Sequence, residues 1–187
     1  MKLPFLTSPS RRLPAALLFG CSAFQSLPAQ EASGGRQNLL KNGSFEEGQS
    51  GWDFTTHHKR GSATVNEAEK RDGKVSIFIE NPAADDCFLK QQVAVKPKTR
   101  YRITAYIKTR EVVGKGAGAT ISLEGGFEKT EVITGNKSWT KVSFEFDSGA
   151  ADSIKIGPRL GHYSSPVMGK AWFDDVTLVE LGPSRKR

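Results

Sequence analysis

Tyr101-Arg102-Ile103-Thr104-Ala105-Tyr106-Ile107-Lys108-Thr109 alternates with period two. Tyr101, Ile103, Ala105 and Ile107 fall on one face of an extended chain, and Arg102, Thr104, Tyr106 and Lys108 on the other. This is the pattern of a strand with one buried side. Val142, Phe144 and Phe146 alternate with Lys141, Ser143 and Glu145 in the same way, as do Val75, Ile77 and Ile79 with Ser76, Phe78 and Glu80. Further strands are expected at Ala63–Asn66, Phe88–Val95, Ala119–Leu123, Ser153–Ile156 and Ala171–Glu180. Turn residues separate them at Arg71-Asp72-Gly73, Lys96-Pro97-Lys98, Gly114–Gly118 and Thr134-Gly135-Asn136. No long stretch has helical period. Eight or nine short strands predict an all-β fold, a β-sandwich of the jelly-roll kind.

Outward from these strands the chain of 187 residues has room for one domain. Residues 1–29 read as a secretory signal peptide: Lys2, Arg11 and Arg12, an apolar run from Leu13 to Phe24, then Ser26-Leu27-Pro28-Ala29 before Gln30-Glu31. The run is short and interrupted by Pro14, whereas a membrane span needs about 20 apolar residues. Secretion, to the periplasm or the extracellular space, is the expectation. Leu18-Phe19-Gly20-Cys21 also permits a lipoprotein reading in which Cys21 carries the anchor. Residues 30–37 form a polar spacer, 38–181 the domain, and 182–187 a basic tail. Removing Lys2, Arg11 and Arg12 lowers the formal charge from +7 to +4. The remaining bases are scattered among acids, which argues against a nucleic-acid footprint.

With Cys21 in the export segment, Cys87 has no internal disulfide partner. The acids of Asp85-Asp86-Cys87-Phe88 would raise a thiol pKa, so Cys87 reads as a buried structural thiol. The adjacent His57 and His58 point to opposite sides of a strand and make a poor zinc pair. The chain contains no Gly-x-Ser-x-Gly elbow, Walker loop or HExxH helix. Acid pairs such as Asp53 with Glu67 or Glu124 with Glu128 carry no spacing across strands that would mark a glycosidase. No enzymatic activity is expected.

The ends of the domain carry a resemblance. Asn38-Leu39-Leu40-Lys41-Asn42-Gly43-Ser44-Phe45-Glu46-Glu47-Gly48, with Gly51-Trp52 after it, resembles the opening of carbohydrate-binding modules of the family 4/9/22 type. Trp172-Phe173-Asp174-Asp175-Val176-Thr177-Leu178 resembles their closing strand. Leu89–Pro97 leading into Tyr101–Thr109, and Trp139 opening the strand that ends at Phe146, match their middle. The resemblance implies a galactose-binding-like jelly roll and a polysaccharide or oligosaccharide ligand; a monomer is the expected state.

It also implies a structural Ca2+ between the opening segment and the last strand, with Glu46 and Asp174 as the carboxylates. Trp172, Asp174, Val176 and Leu178 share one parity, so Asp174 is expected to point inward with the apolar residues and to require a partner. Calcium, a Lys or Arg, or backbone N–H groups would each serve. Sugar recognition needs aromatic faces and hydrogen-bonding groups together. The candidates are Tyr106 with Arg102 on the polar side of the best strand, Gln92 (or Gln91) on the strand before it, His162-Tyr163 in the Gly-rich loop, and Trp52. The place of Trp52 also suits a buried plug. The rival function is a structural or protein-interaction module of the cell envelope. A sugar binder should show two or more exposed aromatics along one groove, and an interaction module a broad apolar patch.

Overall fold

The structure, a computed structural model, describes residues 36–114 and 117–184. The expected export segment, Cys21, nearly all of the spacer and residues 185–187 lie outside the described residues. Nine strands follow one another: β1 (Asp53–Thr56), β2 (Ser62–Asn66), β3 (Ser76–Asp85), β4 (Cys87–Ala94), β5 (Thr99–Val113), β6 (Ala119–Leu123), β7 (Gly135–Asp147), β8 (Ser153–Leu160) and β9 (Val167–Pro183). They form two antiparallel sheets, one ordered β1-β4-β8-β6 and the other β2-β3-β9-β5-β7. The described residues contain no helix, so none is long and apolar enough to cross a membrane. The all-β jelly-roll sandwich is therefore as the alternation implies.

The apolar face of each strand meets that of the opposite sheet. Ile77, Ile79, Leu89, Ile103, Ile107, Ile121, Ile156, Leu160, Phe173 and Leu178 are fully buried there. Each such side chain contributes about 1.5–3 kcal/mol relative to exposure. The opening segment closes against β9: Leu39 N donates to Leu178 O and Val176 N to Gly43 O, both at 2.8 Å. A side chain at residue 43 would put its Cβ 2.1 Å from the Val176 carbonyl oxygen, so glycine is required at that contact. Phe45, at φ 60°, turns into the core and packs on Trp52 with ring centroids 5.2 Å apart.

Three local expectations need correction. Asp53 and Phe54, outside the strands expected from sequence, belong to β1 and pair with Lys90 and Leu89 of β4. Gly135, expected in a turn, begins β7 at φ 69° and pairs with Val112. The third correction concerns β9. Tyr106 pairs with Asp174 and Thr104 with Thr177, so β9 carries one extra residue between these rungs. This β-bulge at Asp175, which has φ 51°, reverses the parity. Ala171 and Phe173 face the core before it and Val176 and Leu178 after it, while Trp172 and Asp174 share the outer face with Lys108 and Tyr106. Asp174 is nevertheless 1% exposed, because the loop at Arg71–Asp72 covers it.

Candidate ligand-binding cleft

The outer face of the four-stranded sheet carries the cleft. On β4, Phe88, Lys90 and Gln92 point away from the core, and on β8 their neighbours Lys155 and Arg159 do the same. A hollow of about 520 Å3 opens over Thr55, Phe88, Arg159 and Tyr163. It shares Glu124 with a second hollow of about 400 Å3 bordered by Gln92, Ser153 and Lys155. It shares Tyr163 with a ledge of about 350 Å3 between Tyr163 and Phe127. The three make one groove.

Arg159 organises its floor. The guanidinium is 4% exposed and grips Asp86 with two prongs, Nε to Oδ1 at 2.7 Å and Nη2 to Oδ2 at 2.5 Å. It lies 4.9 Å from the Phe88 ring centroid and 4.2 Å from that of Tyr163. A charge this deep requires such a partner, since an unpaired one is very costly.

Tyr163 is fixed at both ends. Its backbone N donates to Asp86 Oδ2 at 2.7 Å, and its hydroxyl accepts from Gly125 N at 2.9 Å. The ring is covered by Arg159 on one face and stays 40% exposed. Phe127, at the tip of the turn after β6, is 80% exposed and 6.2 Å from Tyr163, edge to face. Glu124 bridges the groove by accepting from Lys90 of β4 and pairing with Lys155 of β8. The Lys90 hydrogen bond, helped by Lys155, holds the Glu124 carboxyl below the ordinary carboxylate range.

The expected ligand residues separate into three places. Tyr163 and Gln92 lie on the groove, and Gln92 rather than Gln91 is the exposed one, because Gln91 is tied to the backbone of Lys41. His162 sits 8% exposed beneath Phe127, 6.1 Å ring to ring, where burial together with Arg159 and Lys129 lowers its pKa. Tyr106 and Arg102 are on the outer face of the other sheet. The Arg71 guanidinium lies 3.7 Å over the Tyr106 ring, and Arg102 is paired with Glu145. Trp52 is 6% exposed in the core, its Nε1 donating to Asn42 O, so its face packs on Phe45 and is closed to a ligand.

Sequence reading missed Phe127 and Arg159. Their signals were present: an aromatic set directly after Gly125-Gly126 among charges, and a single cation inside the apolar run Ile156–Gly161.

Glu46 and Asp174 clasp the loop at residues 71–75. Both Glu46 oxygens accept from Lys74 N, and Asp174 Oδ2 accepts from Arg71 N at 2.9 Å and Asp72 N at 3.3 Å, with Oδ1 accepting from Asp175 N. Amide capping is thus the partner seen at Asp174. Burial raises the Asp174 carboxyl against these hydrogen bonds, and the Arg71 guanidinium pairs with Asp175 instead. Hard oxygens on two adjoining segments suit Ca2+ chemically. Among the described residues no three His, Cys, Asp or Glu side chains converge, so an ion would also need backbone carbonyls.

Comparison with known proteins agrees with the fold. Carbohydrate-binding module TmCBM61, solved with beta-1,4-galactotriose, superposes with a TM-score of 0.56 at 21% identity, over 77% of this chain and 99% of that one. The CBM22-1 xylan-binding domain of Paenibacillus barcinonensis Xyn10C gives 0.54 at 15% identity, over 80% and 97%. The tRNA nuclease WapA of Bacillus subtilis strain 168 is 28% identical over 158 residues, which are 75% of this chain. The chain spans only 7% of that protein's length. The sequence model of the family described as "Carbohydrate binding domain" matches residues 37–156, well over half of the molecule, and the chain belongs to that family.

Proposed function

We propose that this is a secreted, non-catalytic module that binds a polysaccharide in the groove over β1, β4, β8 and β6. The observation that carries this reading is the pair of exposed rings, Tyr163 and Phe127, beside one groove. Their faces suit the apolar side of a pyranose ring, while Gln92, Glu124, Lys90 and Lys155 supply hydrogen-bonding groups for hydroxyls. Family membership and the module-like neighbours support the same ligand class.

The non-catalytic part rests on the two carboxylates of the main hollow. Asp86 is committed to Arg159, and Glu124 is held ionised between Lys90 and Lys155. A general acid needs a raised pKa, and Glu124 is shifted the other way. Export rests on the order of residues 1–29, and a mature protein starting at Gln30 by mass spectrometry is the expected result.

The deciding experiment is binding of the purified protein to an array of soluble and insoluble polysaccharides. Retention on one glycan class, lost in Tyr163→Ala and Phe127→Ala with the melting temperature intact, is expected. Absence of binding to any glycan would transfer the proposal to the envelope interaction module.

For the clasp at residues 71–75 we propose a structural Ca2+ held by Glu46 and Asp174, supported by the burial of Asp174 without a cationic side-chain partner. When bound, the ion would supply charge compensation. Glu46 and Asp174 would then fix the opening segment to the loop and to β9. A melting temperature raised by millimolar Ca2+ and lowered by EDTA is expected; an unchanged one would leave amide capping as the whole arrangement.

A further inference from the structure

The outer face of the five-stranded sheet holds, beside the last residues of β9, a hollow of about 320 Å3 that the groove does not use. Arg36, Arg100 and Arg102 line it with Glu145, against a wall of Leu181 and Pro183. Arg102 donates from Nε and Nη2 to Glu145 Oε1, and Arg100 Nη2 forms an ion pair with Oε2 at 2.9 Å. One glutamate thereby fixes two guanidinium groups side by side. Of the acids nearby, Glu180 pairs with Lys96, and Asp147, opposite Arg100 on β7, accepts the Ser184 hydroxyl and is not among the residues that line the hollow. Three arginines facing one glutamate leave two positive charges in excess at the hollow.

Guanidinium groups offer several N–H donors in a rigid fork that fits oxyanions. Glu145 takes two donors of Arg102 and pairs with one nitrogen of Arg100, which is fewer than the five N–H donors that each guanidinium carries. Because the ion pairs already order both side chains, a ligand meets a smaller entropic cost on binding. A double positive excess is matched best by a doubly charged group. A phosphate ester, with a second pKa of about 6, is mainly such a group at neutral pH, and inorganic phosphate is mainly so at pH 7.5.

We propose that this hollow is an oxyanion site that takes a phosphate dianion, free or esterified to a sugar. It lies on the sheet opposite the groove and does not depend on the glycan reading.

The test is calorimetric titration of the full chain with sodium phosphate at pH 7.5, against sodium chloride of equal ionic strength. One site per chain is expected, weakened at least tenfold by Arg36→Gln and by Arg100→Gln. Both side chains are partly or fully exposed, so the melting temperature should not move. Phosphate should bind more weakly at pH 5.5, where it is mostly a monoanion, while sulfate should bind alike at both pH values. Glucose 6-phosphate should bind and glucose should not. Tighter binding of the ester than of inorganic phosphate would identify the source as a phosphorylated sugar, and equal binding would identify free phosphate. Heats no greater than those of chloride would overturn the proposal. So would an affinity that survives both arginine variants but vanishes when Arg185, Lys186 and Arg187 are replaced by Gln, since the tail and not the hollow would then hold the anion.

Discussion

Arg159 reaches from β8 to Asp86, the residue between β3 and β4, and the same carboxylate that neutralises it also receives the backbone N–H of Tyr163. One buried ion pair thus sets both the floor of the groove and the position of its aromatic ring. Removing one partner leaves the other charged and dry, at a cost of about 3–5 kcal/mol. Asp86→Ala should lower the unfolding free energy by that amount in urea titration. Replacing both partners, as Asp86→Leu with Arg159→Met, should cost clearly less than the sum of the single changes. Additive losses would mean that the two groups do not interact.

Asp85, one residue earlier, does a different task. Its carboxylate accepts from the Thr56 hydroxyl and from the backbone N–H groups of His58, Arg60, Gly61 and Asp86, which wraps the loop at residues 57–61 around one buried acid. Burial alone would raise this carboxyl, but the hydrogen bonds outweigh it and hold it well below the ordinary range. The folded pKa is depressed, so the unfolded chain binds the proton more readily, and the stability gained is present above about pH 4 and lost as pH falls toward the folded value. Asp85→Asn should be less stable by about 2–3 kcal/mol at pH 7. The gap between wild type and variant should narrow steadily below about pH 4. A gap that stays constant down to pH 2 would contradict the depressed pKa.

Cys87 should be silent toward thiol reagents. It is fully buried, and burial first, with Asp85 and Asp86 adding to it, pushes its pKa up to about 12. Thiolate is the reactive form, so at pH 8 iodoacetamide should label Cys87 only after denaturation, as read by peptide mass mapping. Labelling of Cys87 in the folded chain at the rate of a free thiol would show that the end of the sandwich near Gly61 opens.

The fold was legible because period-two alternation is a direct consequence of a sheet with one wet face, and β5 displays it over nine residues in a row. The bulge at Asp175 was not, since an extra residue in β9 is visible only against the rungs of β5. Its effect was to exchange the faces of Trp172 and Asp174. The groove was half legible. Tyr163 stood out as a ring in a loop with little core to fill, but Arg159 carries its meaning through Asp86, 73 positions away. Outward-facing Tyr106 and Arg102 met the same sequence criterion as Gln92, and only the assignment of strands to sheets separates them.

Trp52 and the pair Tyr163 with Phe127 should respond to mutation in opposite ways. Trp52 packs on Phe45 in the core and donates to Asn42 O, so Trp52→Ala should cost about 3–5 kcal/mol through the cavity it leaves. Whatever binding remains in the folded fraction should be of wild-type affinity. Phe127 is 80% exposed, and removing it should change stability by about 0.5 kcal/mol at most. Tyr163 adds its hydroxyl contact to Gly125, so Tyr163→Phe isolates that hydrogen bond while keeping the ring. If ring stacking holds the glycan, Tyr163→Phe should retain most of the affinity, and the double change to Ala should abolish it without unfolding the protein. Affinity gels with urea melts of the same variants read both quantities. Loss of binding in Trp52→Ala at full folding, with the double variant unaffected, would move the ligand away from this groove.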